Sequence, residues 1–279
     1  MSTETFLVLG ATGKTGRRVA ERLRAAGTTV RTAARRDADV RFDWDDVTTH
    51  DAALRGATAV YLVPPTLRTD YAAQVTTFID RARSAGVRHV TFLSARGVDL
   101  APAEIPPRAV ELHLAGAHDL GHAIVRPGWF MQNFSEGYFR PSADGSIFAP
   151  AGDGVEAFVH ADDIAEVAAA TLLDPDAHAG AGYTLTGPAA LSFAQVAELI
   201  GAASGRRIAY VDVSVEEWVA REVAGGMPDD YAGLLAMLLD ERLRVSDGAS
   251  VTDDVERVTG HPPRGFDEYV AETWAGLAA

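Results

Sequence analysis

Apolar positions along the first half of the chain fall into two alternating patterns: short unbroken runs, and longer stretches in which apolar residues recur every three or four positions. Unbroken runs are what a strand buried on both faces requires, and the three-to-four spacing is one face of a helix. The pattern predicts strands near 5–9, 28–33, 39–42, 58–63, 88–94 and 122–125. Helices fit at 14–26, 48–55, 70–85 and 106–116, with Gly27 and Gly86 placed to end the first and third. Strand and helix in strict alternation predict an α/β fold, a doubly wound parallel sheet with crossover helices. Beyond Pro127 the alternation loosens: Gly, Pro and Ser cluster from 137 to 154, followed by a helix near 161–173, a strand near 182–186 and a helix near 192–203. The expected division is a dinucleotide-binding domain over 1–150, to which later segments return, and a smaller, mostly helical lobe over 151–279.

The first strand runs straight into Gly10-Ala11-Thr12-Gly13-Lys14-Thr15-Gly16. Three glycines at spacing three between a buried strand and a helix form a pyrophosphate seat, the Rossmann fingerprint. Gly10 makes the turn, Gly13 admits the phosphates to the backbone, and Gly16 brings the helix close to the strand. Thr12, Lys14 and Thr15 complete the expected contacts. A nucleoside-triphosphate loop needs a further glycine five positions before Gly13, where Val8 stands, so the spacing selects a dinucleotide. The second strand ends in Arg35-Arg36, where an acidic residue would bind an unphosphorylated ribose. Two guanidinium groups suit a 2′-phosphate, so NADP(H) is expected ahead of NAD(H). Ligands in open α/β sheets sit at the carboxyl ends of strands. Asp43 and Trp44, then Leu62, Val63 and Pro64, then Ser94 are therefore further cofactor candidates.

A net charge of −14 argues against nucleic acid or an anionic membrane surface as partner. The chain has no cysteine, which removes disulfides, thiol nucleophiles and thiolate metal sites. No apolar stretch approaches membrane-spanning length and no secretory leader is evident, so a cytoplasmic location is expected. His113, His118 and His122 lie around a Gly-containing connection without a carboxylate in helical register, and no metal site is expected. Apolar residues at 266, 269, 270, 273/274 and 277 form a helical stripe that packs on its own lobe or on a second subunit; the sequence leaves both open.

Three stretches resemble the NmrA-like, atypical branch of the short-chain dehydrogenase/reductase superfamily: Gly10 to Gly16, Val125 to Phe134, and Phe158 to Ala165. The chain looks most like the bacterial quinone-reductase-like members and relatives of ergot-alkaloid iminium reductases. The resemblance implies that the Arg126-Pro127-Gly128-Trp129-Phe130 segment approaches the nicotinamide, with Gly128, Trp129, Phe130 and Asn133 as cofactor contacts. It also implies that Asp162 caps the helix beginning in Asp162-Asp163-Ile164-Ala165.

The superfamily's usual proton donor is a tyrosine followed four residues on by a lysine. Lys14, in the glycine loop, is the chain's single lysine, so no such pair exists. The chemistry expected is hydride transfer to a small acceptor needing little protein acid catalysis, a quinone or an iminium ion. Tyr71, Arg96, Trp129 and Tyr138 are candidates for the acceptor wall, with Tyr71, Arg96 and Tyr138 the catalytic candidates. The alternative from another class is a non-enzymatic sensor that binds NAD(P) and signals to a protein.

Overall fold

The computed structural model describes residues 4–274. In chain order the elements are β1 (Thr5–Leu9), α1 (Gly16–Ala25), β2 (Thr29–Ala34), β3 (Val40–Arg41), α2 (His50–Leu54), β4 (Ala59–Leu62), α3 (Ala72–Ser84), β5 (His89–Leu93), α4 (Pro106–Gly116) and β6 (Gly121–Pro127). There follow α5 (Asn133–Glu136), β7 (Ser146–Ala149), β8 (Val155–Glu156), α6 (Ala161–Leu173), β9 (Ala181–Leu185), β10 (Leu191–Ser192) and α7 (Phe193–Ser204). The chain continues through β11 (Ala209–Asp212), α8 (Val215–Ala224), α9 (Asp229–Met237), α10 (Asp254–Thr259) and α11 (Phe266–Trp274).

Seven strands form one parallel sheet in the order β3-β2-β1-β4-β5-β6-β9. Strand β1 shows why its apolar run is unbroken. Phe6 and Val8 pack with Val19, Leu23 and Ile164 of α1 and α6 on one face, while Leu7 and Leu9 pack with Val75, Phe78 and Val110 of α3 and α4 on the other. Helix α6 and strand β9 lie beyond residue 150 yet complete the sheet domain, α6 against α1 and β9 beside β6.

A separate core gathers the later segments around Phe134, Phe139, Phe158, Phe193, Trp218 and Phe266. The stretch from 137 to 154 in which Gly, Pro and Ser cluster contains β7, which pairs in parallel with β11; β8 pairs antiparallel with β10. Both ladders are too short to announce themselves by alternation. Ion pairs fasten this lobe to the sheet domain. Arg264 donates its backbone N–H to the fully buried Asp163 at 2.9 Å and its guanidinium to Asp163 and Glu166; Arg22 of α1 reaches Glu166 at 2.8 Å. The apolar stripe of α11 faces inward at Phe266, Tyr269 and Val270; Leu277 lies outside the described residues.

One expected detail is corrected. The cap of α6 is His160, whose Nδ1 accepts the Asp162 N–H at 3.1 Å. Asp162 sits within the first turn, where its carboxylate meets Arg18 and Arg22 instead.

At the opposite edge of the sheet from the strand carboxyl ends, His89 is 2% exposed and its Nδ1 has no partner. Burial, with His122 and His178 nearby, pushes it from 6.5 down to about 4. Because the unfolded chain binds this proton more readily, stability is unaffected above pH 6.5 and is lost as pH falls from 6.5 toward 4. The loss from this one group should approach about 3 kcal/mol. Thermal midpoints measured between those limits should fall, and His89→Leu should flatten the slope; an unchanged slope would contradict the assignment.

Candidate cofactor and acceptor site

Strand order reverses between β1 and β4, which lead to opposite halves of the sheet, so the crevice at their carboxyl ends is the switch point where a ligand binds. The glycine loop occupies it. Gly10 adopts φ +60°, and the Gly13 N–H closes the turn on the Gly10 carbonyl at 2.8 Å. A Cβ at Gly16 would stand 2.2 Å from the Gly10 oxygen, so α1 is seated at a distance only glycine allows. No side chain caps α1 and no acid lies in its first turn, although Thr15 is buried at the N-cap position. Uncapped amides at a helix N-terminus favour an anion, and this is the property a diphosphate seat needs.

Around this loop, Val63 packs on the Gly10 turn, and Leu62 and Pro64 continue the same edge. Trp44 stacks edge-on against Phe42, His50 and Phe78, and the Asp43 carbonyl lies 3.0 Å from His50 Nε2. Arg35 and Arg36 are exposed, and neither has an ion partner among the described residues. The neighbouring Asp39 is held by the Thr32 N–H and hydroxyl at 2.8 and 2.7 Å and by Arg24 at 3.5 Å. An open hollow of about 510 Å³ lies between α1 and the end of β2, lined by Ala11, Arg17, Arg24, Thr32 and Asp39 among others.

The turn after β6 is stitched across to residues 157–159. Val159 donates to the Trp129 carbonyl and Met131 to the Val159 carbonyl, each at 2.9 Å, while Trp129 packs on Phe139 at 5.4 Å between centroids. Phe130 is bridged to Val159, and Asn133, buried at the start of α5, takes the Phe139 N–H on its carbonyl at 3.0 Å. The single lysine reaches this region: Lys14 Nζ is 5.9 Å from the Tyr138 ring centroid. Burial lowers its pKa, an effect that Glu136 opposes.

Two candidates are placed differently from expectation. The Ser94 hydroxyl donates to Glu111 at 2.6 Å and faces into the protein. Arg96 spends its guanidinium on Gly248 O at 2.9 Å and on Ser250 O and Oγ at 3.0 and 2.6 Å. Tyr71 and Tyr138 both stand beside Tyr231 of α9, a residue that carries no local signal in the sequence. Burial raises both phenols well above their usual range, so they remain hydrogen-bond donors. Thr69 donates to Asp230 at 2.6 Å and holds the β4–α3 loop to α9 over this trio.

Helix α4, between β5 and β6, carries Glu111 on its buried face. Glu111 is 3% exposed and accepts from Ser94, from Arg108 at 3.2 Å and from Arg126 Nε and Nη2 at 2.8 and 2.9 Å. Desolvation opposes ionisation, but these donors together hold the carboxyl below its usual range. The network orients Arg126 and with it the turn that follows. Of the three histidines considered for metal, His113 meets Asp80 at 3.0 Å and His122 lies on β6; among the described residues no group of three or more His, Cys, Asp or Glu could hold a metal ion.

With this geometry established, comparison with known proteins is decisive. An NAD(P)H-binding model matches residues 10–175, and the NmrA-like family model matches residues 117–269. The chain belongs to the NmrA-like family. It is 39% identical over 97% of its length, and 96% of the relative's, to the uncharacterized oxidoreductase YesF of Bacillus subtilis. It is 31% identical to agroclavine dehydrogenase of Claviceps fusiformis, with 96% of each chain covered. The NADPH complex of a quinone oxidoreductase of Escherichia coli superposes with a TM-score of 0.73 at 25% identity, covering 96% of this chain and 99% of that one. The NmrA-like chain is thus an NAD(P)H-binding oxidoreductase by family. No described helix is long and apolar enough to cross a membrane.

Two substitutions test this construction. Gly16→Ala should cost about 1–3 kcal/mol through overpacking, read as a lowered thermal midpoint, and should abolish saturable NADPH binding at concentrations that saturate the parent. Glu111→Ala leaves the half-buried Arg126 without its partner and should cost about 1.5–3 kcal/mol in denaturant unfolding. A neutral result at either position would mean the contact is not formed.

Proposed function

We propose that this NmrA-like protein is an NADPH-dependent reductase that delivers hydride to a small planar acceptor, a quinone or an iminium ion. The observation that carries the reading is that its single lysine lies in the glycine loop, so the chain offers no tyrosine followed four residues on by a lysine. With no tyrosine–lysine acid, a ketone would leave an alkoxide unprotonated. An iminium carbon already carries positive character, and a quinone yields a stabilised anion, so positioning supplies most of the acceleration. When bound, the reduced nicotinamide supplies the hydride.

The chain's own groups divide the remaining work. The amides of residues 12–16 and the α1 N-terminus hold the diphosphate, with Lys14 adding a cation beside them. Gly128, Trp129, Phe130 and Asn133 form the nicotinamide side. Tyr71 and Tyr138, neutral throughout the working range, offer aromatic faces and hydroxyl donors to the acceptor. Arg35 and Arg36, without ion pairs among the described residues, receive the 2′-phosphate, whereas Asp39 is already committed to Thr32 and Arg24.

The test is spectroscopic turnover of NADPH with a panel of small quinones and cyclic iminium ions, beside direct titration of both cofactors. Turnover of at least one class is expected; saturable NADPH binding with turnover of neither would make the protein a sensor. Arg35→Ala should weaken NADPH by roughly 10- to 100-fold, as loss of a charged hydrogen bond implies, and leave NADH nearly unchanged. Equal losses for both cofactors would refute the phosphate assignment.

A further inference from the structure

We propose that Glu156 is a positioning residue for the Gly128–Trp129 turn, and that its ionised form holds that turn in the conformation needed for hydride transfer. The proposal rests on the reading that this turn faces the nicotinamide. The carboxylate is wedged between two glycines from distant loops. A Cβ at Gly128 would stand 2.6 Å from Oε1 and one at Gly248 only 1.5 Å from Oε2, so both glycines are required for the side chain to fit. Glu156 is 3% exposed, and Oε1 has no hydrogen-bond partner.

A bare carboxylate oxygen in that position is costly, and nothing in the core packing needs one. The charges facing it are few: Arg96, with Nη1 3.8 Å from Oε1, attracts, and Asp247 repels. The Trp129 N–H also favours the ionised form. Arg96 in turn donates its backbone N–H to the Pro127 carbonyl at 3.0 Å and its guanidinium to Gly248 and Ser250. One ion pair therefore clasps the turn after β6 between the β5 end and the 246–250 loop. Burial, partly offset by Arg96, pushes the Glu156 carboxyl from 4.5 up to about 7. Below that point the charge is lost and the clasp loosens; above it the turn is held. Hydride transfer should then rise with pH through this range.

Two readouts separate this proposal from the function it builds on. In the cofactor-free protein, Trp129 fluorescence, assigned by difference from Trp129→Phe, should change with a midpoint near pH 7 and lose that transition in Glu156→Gln. In turnover of NADPH with a small quinone, kcat should rise with the same midpoint in the parent and be flat in Glu156→Gln, with the NADPH Kd little altered. A transition that persists in Glu156→Gln, or none in the parent between about pH 6 and 8.5, overturns the proposal whether or not the protein is a reductase. Should Glu156→Gln not fold, isotope-edited infrared spectra of the parent read the carboxyl directly, and a Glu156 ionised throughout that range is equally fatal. Absence of all turnover with the fluorescence transition intact would instead refute the reductase reading alone.

Discussion

The structure is organised around one contact without slack: the carbonyl of Gly10 against the backbone of Gly16. Because no side chain intervenes, α1 begins immediately above the end of β1, and its N-terminal amides open onto the switch point of the sheet. Moving α1 outward by the width of a methyl group would uncouple it from α6, since both share the core of Val19, Leu23, Ile164 and Val167. Helix α6 carries Asp163 and Glu166, to which Arg264 of the C-terminal segment is tied, and Arg22 of α1 completes the same network. The close turn at the phosphate seat and the attachment of the second lobe are thus mechanically continuous.

Much of this was legible from local pattern. The glycine loop, the six strands through Pro127 and helices α3, α4 and α6 depend on spacing within a few residues, which periodicity and turn chemistry report directly. The second lobe was legible only in outline, because β7, β8, β10 and β11 are two to four residues long and pair with segments far along the chain. The α6 cap shows a finer failure. An aspartate near a helix start looks like a cap, but Arg18 and Arg22 on a helix 140 residues earlier draw Asp162 away, and His160 takes the amide.

The acceptor side was the least legible, for a physical reason. Arg96 has the composition of a wall residue, yet its partners lie 152 and 154 residues on, and no local signal encodes them. Ser94 likewise reads as an exposed hydroxyl at a strand end until Glu111 appears beneath it. Tyr231 belongs to a short helix, α9, and acquires meaning only through Tyr71 and Tyr138. Side chains that depend on tertiary neighbours for their role carry no signature in a single sequence, whereas backbone-driven sites do.

The electrostatics of the site leave its phenols and Glu111 without an available proton. Its phenols are kept neutral by burial, its one lysine is partly desolvated, and Glu111 is held by Ser94, Arg108 and Arg126. The phenols, their protons held more tightly than usual, are poorer acids than a water-exposed tyrosine, and Glu111 is held ionised with no proton to give; Lys14 alone is shifted toward easier proton loss. A site built this way accelerates reactions whose barrier lies in alignment and desolvation, and it contributes little to those limited by proton transfer. The electron-poor hydride acceptors proposed above meet that condition; simple ketones do not.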